Sequence, residues 1–159
     1  MSTIVVGLSD MRISVVPEDV LVTYSLGSCI GVSAYDPKAR IGGLIHCLLP
    51  LPGEAPDGER DNPFKFVTTG IPVMVRRLVK AGADQRRLVF KGAGGASIRS
   101  QYHVPIGAEN AKALRGVLAY NNARLTAEEF GGTIPRTMFL YLDTGRVVIR
   151  TKGVPHDLV

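Results

Sequence analysis

Two apolar runs joined by a polar turn constrain the fold of this chain most strongly. The runs occupy residues 30–35 and 41–48, and the turn between them at 36–40 combines a proline with charged residues. This pattern predicts an antiparallel hairpin. Cys29 stands at the start of the first run and His46 lies within the second. The hairpin would therefore place a thiol and an imidazole on neighbouring strands.

The register of the hairpin decides whether these two side chains share a face. A turn centred near Lys38 opposes residues whose numbers sum to about 75 to 77. If the sum is odd, Cys29 and His46 share one face with Cβ atoms roughly 5 to 8 Å apart, while Cys47 points to the other face. If the sum is even, Cys47 faces Cys29 in place of His46. The sequence leaves both parities open.

A cysteine and a histidine on neighbouring strands, with a hydroxyl residue nearby, form the residue set of a thiol-dependent hydrolase. An imidazolium close to a cysteine lowers the thiol pKa from about 8.5 towards about 4 to 7 and so favours the thiolate. Gly27 allows a tight turn before Cys29, and we expect this turn to leave the N–H groups of Ser28 and Cys29 free for an oxyanion hole. Burial as a small hydrophobic residue is the alternative role of Cys29 and the expected role of Cys47.

Two loops are candidates for the surroundings of this site. The glycine-rich segment 92–97 is followed by neither a Lys-Ser/Thr pair nor a helical pattern, which argues against a phosphate-binding loop. We expect a tight loop in which Gly94, Gly95 and Ser97 contact the substrate, with simple packing as the equal alternative for Ser97. The segment 50–63 contains four prolines and predicts an exposed loop, either a lid or docking loop or a plain surface connection.

Short apolar segments along the chain predict further strands. They occupy residues 3–8, 11–16, 20–24, 87–91, 125–130, 137–142 and 146–151. The first two are expected to form an opening hairpin, and the turn at 143–145 is expected to join the last two as another.

Two longer segments follow helical spacing. The first, 64–79, follows Asn62 and Pro63, which suit a helix start. Pro72 interrupts it and predicts a kink or a new helix beginning at Thr69. The second spans 110–120. We therefore expect one α+β domain over the whole chain, with mostly antiparallel or mixed sheets in a sandwich-like arrangement and the two main helices packed outside.

Composition narrows the class of partner. The net charge of +5 suits nucleic acid or an acidic protein, but the basic residues are scattered and aromatic residues make up only 6%. A solvated basic face is therefore favoured over nucleic-acid binding.

There is no apolar run of the roughly 20 residues that a membrane span needs, so we expect a soluble, cytoplasmic protein without membrane insertion. The cysteines and histidines lack metal-ligand spacing, and we expect neither a metal nor a cofactor.

Several segments together resemble one protein family. They lie at residues 23–29, 41–50, 92–97, 106–110, 131–136 and 143–147. In this order they are similar to the signature segments of the chemoreceptor glutamine deamidases of bacterial and archaeal chemotaxis, the CheD family. The match extends over nearly the whole chain. The resemblance implies that Cys29, His46 and Thr23 form the catalytic set.

The resemblance also implies the reaction and the partners. Glutamine side chains on the cytoplasmic helices of chemoreceptors would be converted to glutamate, and a CheC-type phosphatase would be a regulatory partner. Cys29 would attack the amide carbon, His46 would act as base and then acid, and Thr23 would orient the imidazole. Two alternatives stay open: a non-catalytic regulatory protein that docks on chemoreceptors or on a CheC-type phosphatase, and a thiol hydrolase for another amide.

Three positions depart from the family pattern. Pro72 interrupts the segment where the resemblance implies a single helix. Glu109 stands where the family usually has a basic residue, and Thr133 stands where it usually has asparagine. We expect the last two to affect docking of the substrate or partner, because the three residues implied in catalysis are all present.

Overall fold

The computed structural model describes residues 2–53, 61–97 and 105–159. Within these residues the chain forms ten strands and two α-helices. The strands are β1 (Thr3–Val5), β2 (Asp10–Ser14), β3 (Val20–Leu26), β4 (Ile30–Asp36), β5 (Ile41–Cys47), β6 (Val89–Gly94), β7 (Leu125–Phe130), β8 (Arg136–Tyr141), β9 (Val147–Thr151) and β10 (Val154–Asp157). The helices are α1 (Val67–Lys80) and α2 (Ile106–Tyr120).

The strands form two mixed sheets of five strands each. The order β1-β3-β8-β9-β10 defines what we call the outer sheet, and the order β2-β5-β4-β6-β7 defines the central sheet. Parallel pairs occur between β1 and β3 and between β6 and β7, while the other pairs are antiparallel. The predicted α+β class with sandwich-like sheets and external helices is confirmed.

The central sheet is covered on both faces. One face packs against the outer sheet, and Leu44, Leu21 and Leu140 belong to this inter-sheet core. The other face packs against α1 and α2, and Ile45 and Met74 belong to this helix-side core. Strands buried on both faces need apolar residues at successive positions, which explains the continuous apolar runs of β4 and β5.

The central hairpin forms as predicted, and its register answers the question of parity. In the β4–β5 ladder Gly31 lies opposite His46 and Ile30 lies opposite Cys47, so opposed residue numbers have an odd sum. Cys29 and His46 therefore point to the same side of the sheet, towards the inter-sheet core. Cys47 points to the helix-side core. The second predicted hairpin, β8–β9, is also confirmed.

The first helix begins later than the sequence pattern predicted. Asn62 caps a short 3-10 turn at Pro63–Lys65, with its Oδ1 accepting a hydrogen bond from the Phe64 N–H, and α1 starts only at Val67. Pro72 lies inside this one continuous helix, so the expected new helix at Thr69 does not form. An interior proline costs about 3 kcal/mol, and burial of the apolar face of α1 on the central sheet offsets this cost.

The expected opening hairpin is wrong, because β1 and β2 belong to different sheets. β1 runs parallel to β3 in the outer sheet, and β2 pairs with β5 in the central sheet. The connecting residues bond to both sheets: the Val6 N–H donates to Val22 O (2.8 Å) and the Ser9 N–H donates to His46 O (3.0 Å). The chain thus crosses between the sheets beside the His46 strand.

The sequence pattern also missed strand β10. Lys152 and Gly153 form a two-residue turn with positive φ at both positions, 51° and 78°, and this turn pairs β10 with β9. Such values are typical of the tight hairpin turns that match strand twist. None of the helices in the described residues is long and apolar enough to cross a membrane.

Candidate active site

A hydrogen bond between the two sheets fixes the orientation of His46. The hydroxyl oxygen Oγ1 of Thr23, on β3, lies 2.7 Å from Nδ1 of His46, on β5, and 2.8 Å from the carbonyl oxygen of Val6. The single hydroxyl proton of Thr23 is donated to the Val6 carbonyl, which can only accept. Oγ1 must therefore accept from His46, and this assigns the ring proton of His46 to Nδ1.

This tautomer leaves the second ring nitrogen of His46 with a lone pair. Nε2 is buried and makes no hydrogen bond to any residue that the structure describes. Burial lowers the pKa of His46 from its ordinary 6.5 to about 4, so the imidazole is neutral near pH 7. A neutral, oriented imidazole with a free nitrogen is the arrangement of a general base.

Cys29 lies just before β4, on the same side of the central sheet as His46. It packs against the inter-sheet core and is partly exposed. Gly31, opposite His46, makes room between the sheets: a Cβ there would lie 3.0 Å from both Leu26 Cδ1 and Met138 Sδ. A side chain at this position would therefore press on the packing next to the candidate base.

The ionisation of Cys29 differs from the sequence-based expectation. Burial raises the pKa of the Cys29 thiol, and its own backbone N–H partly opposes this by stabilising the thiolate. The expected lowering of the pKa by an imidazolium is not found, because burial keeps His46 itself neutral. The resting pair is thus a thiol and a neutral imidazole, so Cys29 would have to lose its proton before it could act as a nucleophile.

The glycine-rich segment packs directly on the residues around Cys29. The Gly95 N–H donates to Cys29 O (2.9 Å), and the Ala96 N–H donates to Gly27 O (2.8 Å). Gly94 has φ of 109°, and a Cβ on it would lie 2.3 Å from Cys29 O, so only glycine fits. The Ser97 N–H is also used, donating to a neighbouring loop carbonyl. The N–H groups of Gly95 and Ser97 thus maintain the loop structure.

With the N–H groups of Gly95 and Ser97 already hydrogen-bonded, the remaining candidate oxyanion donors are the N–H groups of Ser28 and Cys29. Within the described residues, the N–H groups of Ser28 and Cys29 make no backbone hydrogen bond. Both precede β4 and so lie outside the strand ladder. They stay candidates for stabilising a negative oxygen next to Cys29.

One buried residue near the site was not singled out by the sequence patterns. Asn110, on α2, has no exposed surface, and its Nδ2 donates to the carbonyl oxygens of Ser28 (2.9 Å) and Leu48 (3.0 Å). Its Oδ1 is buried and has no hydrogen-bond partner among the described residues. Asn110 belongs to the segment 106–110, which carries part of the family resemblance. This resemblance was the only feature of the sequence that could have pointed to Asn110.

The second cysteine is separate from the site. Cys47 is fully buried in the helix-side core, and burial raises the pKa of its thiol. It lies on the opposite face of the central sheet from Cys29, as expected for a core thiol.

Among the residues that the structure describes, no three side chains are placed to hold a metal ion. Residues 54–60 of the predicted loop at 50–63 lie outside the described residues.

Comparison with known proteins supplies the family. A family model described as CheD chemotactic sensory transduction matches residues 48–151. A protein of Solibacter usitatus named "Probable chemoreceptor glutamine deamidase CheD" is 44% identical over 100% of this chain and 95% of its own length. Proteins of the same name from Symbiobacterium thermophilum and Pyrococcus horikoshii are 43% and 38% identical, each over more than nine-tenths of both chains.

This chain belongs to the CheD family. The family model begins to match at Leu48, after the three candidate catalytic residues. The relative from Solibacter usitatus, in contrast, aligns with the whole chain and so includes the segment that contains them.

Proposed function

We propose that this protein is a chemoreceptor glutamine deamidase that uses Cys29 as nucleophile, His46 as general base and Thr23 to orient His46. The observation that carries the proposal is the free Nε2 of His46, held by the Thr23 hydrogen bond on the side of the sheet where Cys29 lies. The printed names of relatives that match almost the full length supply the substrate class.

In the first half of the reaction the Cys29 thiol attacks the side-chain amide carbon of a glutamine. The thiol proton passes to Nε2 of His46 as the S–C bond forms, and the carbonyl oxygen becomes negative. The N–H groups of Ser28 and Cys29 stabilise this oxygen. The intermediate then collapses, the C–N bond breaks, and ammonia leaves with the proton returned by His46.

In the second half, water hydrolyses the thioester. His46 removes a proton from the water as the water oxygen bonds to the thioester carbon, the C–S bond then breaks, and the proton passes to the sulfur of Cys29. The products are a glutamate side chain and the free thiol. Because His46 is neutral at rest, proton transfer accompanies attack and no preformed ion pair is required.

The charge of the protein suits the proposed substrate. A net charge of +5 favours encounter with a receptor helix rich in carboxylates. Glu109 lies exposed in the first turn of α2 and Thr133 is exposed in the loop before β8, so both are placed where they can contact a partner. A CheC-type phosphatase remains part of the proposal on the strength of the family resemblance.

Incubation of a purified receptor cytoplasmic fragment with the protein, followed by peptide mass spectrometry, tests the proposal. We expect conversion of specific glutamines to glutamate by the wild type and none by Cys29→Ala. Cys47→Ala is the matched control, because it removes a thiol from the opposite face and should retain conversion. Binding of the fragment by both wild type and Cys29→Ala without any conversion would favour the non-catalytic regulatory protein.

A further inference from the structure

We propose that Asn110 is a positioning residue for the reaction, one that holds the peptide between Ser28 and Cys29 so that the Cys29 N–H is directed at the reacting atoms. The inference rests on the proposed function and adds a residue to it. Asn110 itself would touch neither the substrate nor the thiol.

The hydrogen-bond ladder of the central hairpin stops just before the nucleophile. The last pair is Ile30 with Cys47, so the segments that contain Ser28 and Leu48 have left the sheet. The two hydrogens of Asn110 Nδ2 go to the carbonyl oxygens of these two segments, at 2.9 Å and 3.0 Å. Asn110 therefore joins the strand ends where the ladder no longer does.

Because the peptide is planar, holding the Ser28 carbonyl also fixes the direction of the Cys29 N–H. In a trans peptide the C=O and the following N–H point in opposite directions. Because the Ser28 carbonyl points to Asn110, the Cys29 N–H points away from α2. This N–H also stabilises the thiolate of its own residue, which agrees with that direction.

Cys29 is anchored on its other side as well. Its carbonyl oxygen accepts a hydrogen bond from the Gly95 N–H at 2.9 Å. Both peptide units that flank the Cys29 Cα are thus held by their carbonyl oxygens.

Helix α2 is seated closely enough to act as a rigid support. A Cβ on Gly107 would lie 2.4 Å from the carbonyl oxygen of Gly95, so helix and loop are in backbone contact. Gly107 and Asn110 are three residues apart and lie on the same helix face. The close contact at Gly107 therefore fixes how far Asn110 reaches towards the strand ends.

Steady-state kinetics and thiol titration of two variants test the proposal. Asn110→Ala removes the donors and leaves a space, whereas Asn110→Leu removes the donors and fills the space. For both we expect kcat per folded molecule to fall about 10²-fold, as for loss of one oxyanion donor, with KM changed by no more than about threefold. The pKa of Cys29, read from the pH dependence of alkylation by iodoacetamide, should rise.

Leu118→Ala is the matched control, since Leu118 is buried on the same helix about two turns from Asn110. It should lower stability while keeping wild-type kcat per folded molecule and wild-type thiol pKa. Recovery of kcat in Asn110→Leu would overturn the proposal. It would show that the rate requires the volume of the Asn110 side chain and not its hydrogen bonds. Wild-type kcat and thiol pKa in both Asn110 variants would overturn it equally.

One measurement needs no variant and no substrate. In NMR spectra of the wild-type protein, the Cys29 amide proton should move downfield as the thiol ionises, because this N–H stabilises the thiolate of its own residue. A pH-independent Cys29 amide shift through the thiol titration would contradict the proposal even if the Asn110 variants did not fold. Since the titration involves no receptor, its result is independent of whether glutamine is the substrate.

Discussion

At the scale of single residues, one shared hydroxyl orients the candidate base. Thr23 donates to a backbone carbonyl and accepts from His46, so its single proton determines which imidazole nitrogen is free. A neutral threonine orients the ring without adding a negative charge, and burial keeps the ring unprotonated. The proposed base, His46, is therefore neutral and able to accept a proton near pH 7.

Replacing Thr23 with valine should lower kcat by about 10²-fold, because the oriented imidazole tautomer is lost while the shape is kept. Thr23→Ser keeps a hydroxyl and should retain most of the rate. The measurement is kcat for glutamine conversion in the two variants. Equal rates in Thr23→Val and the wild type would remove Thr23 from the mechanism.

Stability should fall as the pH drops from 7 to 5, because of His46. Its pKa is about 4 in the folded protein and about 6.5 when unfolded, so the unfolded chain binds more protons in this window. The free energy of unfolding should decrease by about 2 kcal/mol between these pH values. Urea unfolding at both pH values measures this change. His46→Gln should lose the corresponding part of the pH dependence, and an unchanged dependence would contradict the burial of a neutral imidazole.

At the scale of elements, the central hairpin was predictable and its surroundings were not. Its two apolar runs and polar turn indicated β4 and β5 because both strands are buried on two faces. The register depended on the turn, where Arg40 adopts φ of 56° and donates its N–H to Asp36 O at 2.8 Å. A left-handed arginine has no clear sequence signal, so the pattern left the parity open.

Contacts distant in sequence account for what the patterns missed. Asn110 lies 82 positions from Ser28, and no local spacing connects them. In the same way, β1 and β2 resemble the arms of a hairpin locally, but each finds a partner in a different sheet. Local periodicity describes which residues are buried and does not determine which strands pair.

Alanine at Gly94 should impair both stability and catalysis. The substitution strains a backbone at φ of 109° and places a Cβ against the carbonyl of Cys29, so the chain must shift at Cys29. We expect a loss of at least about 1 to 3 kcal/mol in the free energy of unfolding and a lower kcat. The control is Gly116→Ala, in the middle of α2, where an added Cβ would have no atom of the described residues within 4 Å; it should stabilise by about 0.5 to 1 kcal/mol. Thermal unfolding and kinetics of both variants measure these effects, and wild-type kcat in Gly94→Ala would contradict the account.

At the scale of the whole molecule, one end of the central hairpin carries the candidate site and the other end carries a buried ion pair. The candidate site lies at one end, where the ladder stops and two buried polar atoms have no hydrogen-bond partner among the described residues. At the other end the fully buried carboxylate of Asp36 accepts hydrogen bonds from Arg87 Nε (2.9 Å) and Nη2 (2.8 Å) and from the Asp84 N–H (2.8 Å). The hydrogen bonds from Arg87 are the main reason that the pKa of Asp36 lies well below its ordinary value. These hydrogen bonds attach the end of the hairpin far from the site to the segment that precedes β6.

Asp36→Asn should separate stability from activity. Breaking a buried pair by neutralising one partner costs about 3 to 5 kcal/mol when both groups are buried, and less here because Arg87 is partly exposed. We expect a loss of about 2 to 3 kcal/mol in urea unfolding, with kcat per folded molecule unchanged. A large fall in kcat at full folding would mean that the two ends of the hairpin are coupled.

Alkylation of Cys29 gives the most direct test of thiol catalysis. Iodoacetamide is added in steps, and at each step peptide mass spectrometry measures the modified fraction of Cys29 while the remaining rate of glutamine conversion is recorded. We expect the rate to fall in direct proportion to modification of Cys29, while the buried Cys47 stays unmodified. Full modification of Cys29 with conversion continuing at the original rate would contradict it.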